Sequence, residues 1–184
     1  MLDSPRTVRL RDGTAALLRP IRSEDAPALT RLYDRLSPES AYQRFFTTMR
    51  RLPPDWARIL ADVDHDRRAA IVALGPGGDL VGVARYGALA DPSEAEIALV
   101  VEDAWQRRGL GTILLSALLE HAESRGITRF LAYVLADNHR MMRLVERLGR
   151  VTERSLSGGV TSLRFTRRPE SDTRSPEPGT AALF

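Results

Sequence analysis

The sequence predicts an α/β (α+β) domain built on a mixed, mostly antiparallel sheet, and three observations predict it. Residues 68–101 read as an antiparallel meander. A glycine-punctuated turn at 106–111 joins the last strand of that meander to a long amphipathic helix. A strand apolar on both faces, 128–135, follows the helix. Because a strand–helix–strand unit brings its second strand back parallel to the first, the sheet contains a parallel pair, and an apolar two-faced strand belongs at its centre.

The elements follow in order. Residues 8–19 read as strand, Asp12-Gly13 turn and strand, with Ala15, Leu17 and Leu18 near the end and Pro20 closing it. Ser23 is expected to cap a helix with Glu24 and Asp25 in its first turn, and Ala26, Leu29, Leu32, Tyr33 and Leu36 recur at helical spacing. Ser37-Pro38-Glu39 opens a second helix carrying Tyr42, Phe45, Phe46 and Met49, and Pro53-Pro54-Asp55 a short third one with Trp56, Ile59, Leu60 and Val63. Residues 68–74 and 80–89 form a hairpin across 75–79, and 95–101 returns after Asp91-Pro92-Ser93. Leu110, Ile113, Leu114, Ala117 and Leu118 give the next helix its apolar stripe, and Gly126 ends it. A helix over 138–148, stopped at Gly149, and a hairpin through Ser157-Gly158-Gly159 complete the pattern. His121 and His139 are expected to be solvated helix residues.

A chain of 184 residues with 43% hydrophobic content supports one globular unit, placed at 1–168, and the Pro/Ser/Glu-rich stretch 169–184 is expected to be a disordered tail. The net charge of +3, from 27 basic and 24 acidic residues, is dispersed, and with 6% aromatics it offers no basic stacking face for nucleic acid. The absence of cysteine excludes a disulfide framework, a thiolate metal site and a thiol nucleophile. No run approaches the roughly 18 apolar residues of a membrane span, and the first residues lack a signal core, so a cytoplasmic protein without membrane partners is expected. Asp62, Asp64, His65 and Asp66 form the densest acidic cluster, but with no turn glycine and no second histidine no metal site is expected there. These acids are expected instead to draw a cationic acceptor toward the site.

The turn holds the chemistry. Helix N-termini leave backbone N–H groups unpaired at the positive end of the macrodipole, so a phosphate spanning Arg107 to Thr112 would meet several aimed donors. Gly109 and Gly111 lack Cβ atoms, which lets the backbone turn sharply and approach a ligand closely. A P-loop would require Gly-Lys-Ser/Thr, and the chain has no lysine there; the dinucleotide fingerprint fails because Leu114 stands three places after Gly111.

Gln106-Arg107-Arg108-Gly109-Leu110-Gly111 resembles the Gln/Arg-x-x-Gly-x-Gly/Ala coenzyme A loop of the GCN5-related N-acetyltransferases (GNAT). Arg11-Asp12-Gly13-Thr14, Leu18-Arg19-Pro20-Ile21-Arg22, Glu24-Asp25-Ala26 and Leu36-Ser37-Pro38-Glu39-Ser40 with Tyr42, Arg44, Phe45 and Phe46 are similar to the bacterial protein-lysine (Pat-type) subgroup. The resemblance covers residues near 8 to 166. It implies the GNAT fold, with a sheet of six to seven strands, a central splayed parallel pair and helices on both faces. It also implies acetyl-CoA as cosubstrate and an amine acceptor, with a protein lysine among the candidates. The chain departs from some members in lacking a nucleotide-sensing or synthetase domain, so regulation by a fused domain is expected to be absent.

Site residues follow from the same resemblance. Leu99, Val100 and Val101 would offer a strand edge to the pantetheine arm, with a β-bulge over 98–100 opening the slot. Gln106, Arg107, Arg108, Gly109, Leu110, Gly111 and Thr112 would hold the pyrophosphate. Asn138 and Met141 match the Asn-x-x-Ala of the next helix; Asn138 would bond the arm or simply cap its helix. Glu96, in Ala-Glu-Ile-Ala, stands where relatives place a general base; counting back from Val101 gives roughly 16 Å at about 3.3 Å per residue, close to the arm's reach. On a half-buried strand it would be partly desolvated, the environment that suits carboxylates to base catalysis. Val145 occupies the position of a tyrosine that protonates the leaving thiolate, and Tyr133 is the expected substitute unless water serves or the thiolate leaves unprotonated. Two alternatives stay open, a small-molecule amine acceptor and a catalytically silent acyl-CoA-binding module.

Overall fold

The computed structural model describes residues 4–169, and except for Pro169 the expected tail lies outside the described residues. Among the described residues eight strands form one sheet in the order β1-β2-β3-β4-β5-β6-β8-β7. They are β1 (Arg6–Arg9), β2 (Ala15–Pro20), β3 (Arg68–Leu74), β4 (Leu80–Ala88), β5 (Glu94–Val101), β6 (Arg129–Leu135), β7 (Gly149–Ser157) and β8 (Val160–Arg167). Five helices accompany them among the described residues: α1 (Ala26–Asp34), α2 (Pro38–Phe45), α3 (Pro54–Ala61), α4 (Leu110–Glu123) and α5 (His139–Leu148). The count exceeds the six to seven strands expected, because both terminal hairpins pair fully and lengthen the sheet.

Every neighbouring pair is antiparallel except β5 with β6. That parallel pair is short: Glu94↔Arg129, Ala95↔Phe130, Glu96↔Leu131 and Ile97↔Ala132, with no partner beyond. The two strands therefore separate past Ile97. The expected bulge over 98–100 is not present, since β4 and β5 stay in unbroken register from Gly82↔Val101 to Ala88↔Ala95. The slot opens by divergence of β6 from β5 rather than by an extra residue in β5.

Side-chain alternation sorts the core onto the two sheet faces. Ala95, Ile97, Phe130, Ala132 and Val134 pack with Leu110, Leu114, Leu115 and Leu118 of α4 and Val145 of α5. Ala70, Val72, Val83 and Val100 pack on the opposite face with Leu29, Leu32, Ala41 and Ala57 from α1–α3. Helices thus flank both faces. His121 is buried in α4 and stacks near Tyr86, centroids 6.2 Å apart, instead of facing solvent. His139 is exposed.

Local details also depart from expectation at α1. Ser23–Asp25 is a short 3-10 turn ahead of the helix, no side chain caps α1 itself, and the turn is closed by Asp25. Its carboxylate accepts from the Arg22 amide at 2.8 Å and takes a two-pronged bond from Arg19, both at 2.7 Å. The closing hairpin turns at Gly158 and Gly159, both at positive φ (56° and 77°), the conformation that a type I′ hairpin turn requires at both central residues. Gly149 starts β7 directly against the Phe165 ring, where any Cβ would collide.

Candidate active site

The separated ends of β5 and β6, the N-terminus of α4, one face of α5 and the end of α2 enclose a cavity of about 930 Å³. Of the residues expected to serve a coenzyme, Leu99, Val100, Val101, Gln106, Arg107, Gly109, Gly111, Thr112, Asn138 and Met141 line it, as do Glu96 and Tyr133. Two do not. The Leu110 side chain is buried in the core, and the Arg108 guanidinium turns away to pair with Asp12 at 3.2 Å and lie over Trp105.

The turn before α4 is a nest of backbone donors. Arg107 (φ 62°) and Gly109 (φ 91°) both adopt left-handed conformations, and Gly109 is the N-cap of a helix 14 residues long. Positive φ at alternate positions folds successive N–H groups toward one point, where the helix dipole adds to them. Glycine is needed at 109 because of its φ. At 111 a Cβ would meet Leu99 and Leu144 at 3.5 and 3.6 Å, ordinary contacts, so the chain itself leaves room for alanine.

Charge around this nest is strongly positive. Arg11, Arg107, Arg140, Arg143 and Arg147 all line the cavity. None has a carboxylate partner among the described residues; Arg140 donates to the Gln106 amide oxygen at 3.1 Å, and Arg147 donates to the Thr112 hydroxyl. A ligand with several phosphate oxygens would satisfy these donors, and coenzyme A is such a ligand. The α5 arginines at 140, 143 and 147 share one helical stripe, a spacing visible in the sequence but without meaning until α5 is seen beside α4.

Gln106 is held rather than free. Its amide donates to the Val101 carbonyl at 3.0 Å and the Ser40 hydroxyl at 3.1 Å. Asp103 completes the link to α2, accepting from the Ser37 amide (2.9 Å), the Ser37 hydroxyl (2.8 Å) and the Ser40 hydroxyl (2.8 Å). Burial would raise the Asp103 carboxyl, but those hydrogen bonds prevail and hold it below the usual carboxylate range. Ser37 also caps α2 through the Ser40 amide at 3.1 Å. At the start of α5, Asn138 accepts from the Met141 amide at 3.1 Å.

At the other end of the slot, Glu96 and Tyr133 share a sheet face, since Glu96 pairs with Leu131 and Tyr133 lies two residues on. Tyr133 is 46% exposed, so it is not the core tyrosine its strand suggests. Glu96 is exposed to the cavity rather than partly desolvated. Arg44, from the last turn of α2, lines the same cavity, and its positive charge is stabilised by Glu96. Val145 is fully buried between α5 and the sheet and reaches no cavity wall. Asp64 and Asp66 lie apart: Asp64 accepts from the amides of Asp66 and Arg68, and Asp66 pairs with Arg125.

A mixed sheet with one splayed parallel pair and a donor-rich turn before the central helix is the fold that the resemblance implied, and the family to which it leads is one of acetyl-CoA-dependent N-acetyltransferases. The chain belongs to the Acetyltransferase (GNAT) family, whose match spans residues 29–149. It is similar to an acetyltransferase of Pseudomonas aeruginosa, 32% identical over 79% of this chain and 80% of that one. Acetyltransferase Pat of Mycolicibacterium smegmatis is 32% identical over 85% of this chain, which spans 47% of that longer protein. Among solved structures, the GNAT domain of S. lividans PAT superposes with a TM-score of 0.81 at 35% identity, covering 88% of this chain and 96% of that domain. Among the described residues no helix is long and apolar enough to cross a membrane.

Proposed function

We propose that the chain transfers acetyl from acetyl-CoA to a primary amine by direct attack in a ternary complex, with Glu96 as general base. The observation that carries this reading is one continuous cavity with the donor-rich turn at one end and Glu96 at the other. Acetyl-CoA supplies the activated thioester. The nest and its arginines hold the phosphates, and the unpaired length of β5 past Ile97 offers backbone groups along the arm. A strand amide near Val100 polarises the acyl carbonyl, and Glu96 takes the proton from the acceptor ammonium, directly or through water. Tyr133, exposed on the same face, is positioned to return a proton to the departing thiolate. A protein lysine is a fitting acceptor, supported by the Pat-type relatives.

Glu96→Gln tests the assignment. Turnover at neutral pH is expected to fall by about 10²-fold or more, as for loss of a positioned base, while acetyl-CoA affinity measured by titration stays near that of the parent. Equal turnover across pH removes Glu96 from the mechanism. A second reading, an acyl-CoA-binding module without turnover, is favoured by the burial of Val145. Uptake of acetyl-CoA with no thiol release on any amine or lysate protein selects it.

A further inference from the structure

The acceptor end of the cavity holds more positive charge than its carboxylate answers. Arg44 lies over the Phe45 ring, 4.8 Å from its centroid, and lines the same cavity as Glu96. It makes no hydrogen bond and no close ion pair with any described residue. Arg85 stands behind it, on the same face as Glu96, because Arg85 pairs with Ala98 and Gly87 with Glu96 across β4 and β5. It donates one N–H to the Leu60 carbonyl at 2.6 Å. A guanidinium carries five N–H donors in a planar fork, so most of the donors on this pair are left for something else.

The surroundings do not supply that partner. Neither Glu39, which accepts from Gln43, nor Asp103, held by Ser37 and Ser40, forms an ion pair with Arg44 or Arg85. Desolvation lowers Arg44 to about 10 despite Glu96, and lowers Arg85 to about 10 with Arg44 adding repulsion; both remain cationic at neutral pH. Gly87 leaves open space beside Glu96, since a Cβ there would meet nothing within 4 Å. An ammonium brought alone to Glu96 would therefore approach a like charge. An acceptor that carries its own anion resolves the conflict, with its amine toward Glu96 and its carboxylate in the Arg44 fork.

We infer that Arg44, backed by Arg85, is an acceptor-binding residue that receives a carboxylate carried close to the reacting amine. This rests on the reading of the Glu96 end as the acceptor end. The carboxylate is either the α-carboxylate of a free amino acid or an acidic group flanking a lysine in a peptide.

Matched acceptor pairs test it by thiol release: free amino acids against their amides, and lysine peptides with a neighbouring Asp against the same peptides with Asn. The carboxylate member of at least one pair is expected to have a KM lower by about tenfold or more, the scale of one charge-assisted fork. The pair that responds identifies the source. In Arg44→Gln the KM ratio within that pair falls toward one, and in Arg44→Lys, which keeps charge but loses the fork, it falls part of the way. A ratio is insensitive to how much of the variant folds. Equal KM within every pair in the parent overturns the inference and leaves acetyl transfer standing. So does an Arg44→Gln variant that lowers kcat on both members alike and shifts the pH profile, because Arg44 then acts only by positioning Glu96. Absence of thiol release with every acceptor overturns both readings.

Discussion

The Asp103 carboxylate accepts a 2.8 Å hydrogen bond from the Ser40 hydroxyl, tying α2 to the turn that precedes α4. Ser40 in turn accepts from Gln106 at 3.1 Å, so one small network joins the donor-rich turn before α4 to the helix that carries Arg44 to the far end of the cavity. The two halves of the site share a single support.

Weakening that support should disturb both halves. Asp103→Asn is expected to raise the KM of acetyl-CoA and of the acceptor together, by about fivefold each for the loss of one or two net hydrogen bonds. Ser40→Ala should move both in the same direction by less. Two-substrate kinetics check this, and a change confined to one substrate refutes the shared support.

The two glycines of the nest should not be equivalent. Gly109 sits at φ 91°, where a Cβ is strained by about 1–2 kcal/mol, whereas a Cβ at 111 finds only ordinary contacts. Gly109→Ala is expected to weaken acetyl-CoA binding by about tenfold, with Gly111→Ala within about threefold of the parent. Calorimetric titration of both variants decides it.

Asn138 has two separable roles. As N-cap it uses only its side-chain oxygen, through the Met141 amide, and Asn138→Asp retains that acceptor. Asn138→Ala is expected to lose about 1 kcal/mol of stability and Asn138→Asp almost none. If the aspartate variant nevertheless raises the KM of acetyl-CoA, the amide donors touch the coenzyme; if its KM matches the parent, Asn138 is a cap alone.

Stability should depend on pH through Asp25. Burial alone would raise this carboxyl, but the hydrogen bonds from Arg19 and the Arg22 amide, and the charge of Arg19, bring it below the usual range. A depressed folded value means that the unfolded chain takes up the proton first. The stabilisation is full above the unfolded value near 4 and is lost as pH falls through the folded one. Both side chains of the pair are only 12% exposed, so Asp25→Asn should cost about 3 kcal/mol at pH 7. Denaturant melts in a pH series should find the gap between variant and parent closing as pH falls below about 4.

The periodicity of residues 110–118 and the Gly109/Gly111 spacing were sufficient to predict α4, its capping turn and the anion-binding role proposed for it. These are local properties: side-chain spacing along one helix and a backbone angle at one residue. Alternation likewise placed Glu96 on the face opposite Ile97. What alternation could not say is what lies over that face. α1–α3 cover it at Val83 and Val100 but not at Tyr133, so Tyr133 is open where its apolar strand suggested burial, and Glu96 faces a cavity. His121 differs for the same reason, since the solvent side of α4 is decided by what packs against it.

By itself, then, the sequence determined the order of elements, the glycine turn and the carboxylate on the strand leading to it, because each depends on neighbours within a few residues, and it implied the mixed sheet because a strand–helix–strand connection returns its second strand parallel to the first. Only the tertiary structure decided that β6 leaves β5 after Ile97 without a bulge, that three arginines of α5 converge on the turn before α4, and that Arg44 from α2 lines the same cavity as Glu96. Those facts are set by contacts between segments tens of residues apart, and no local spacing encodes them.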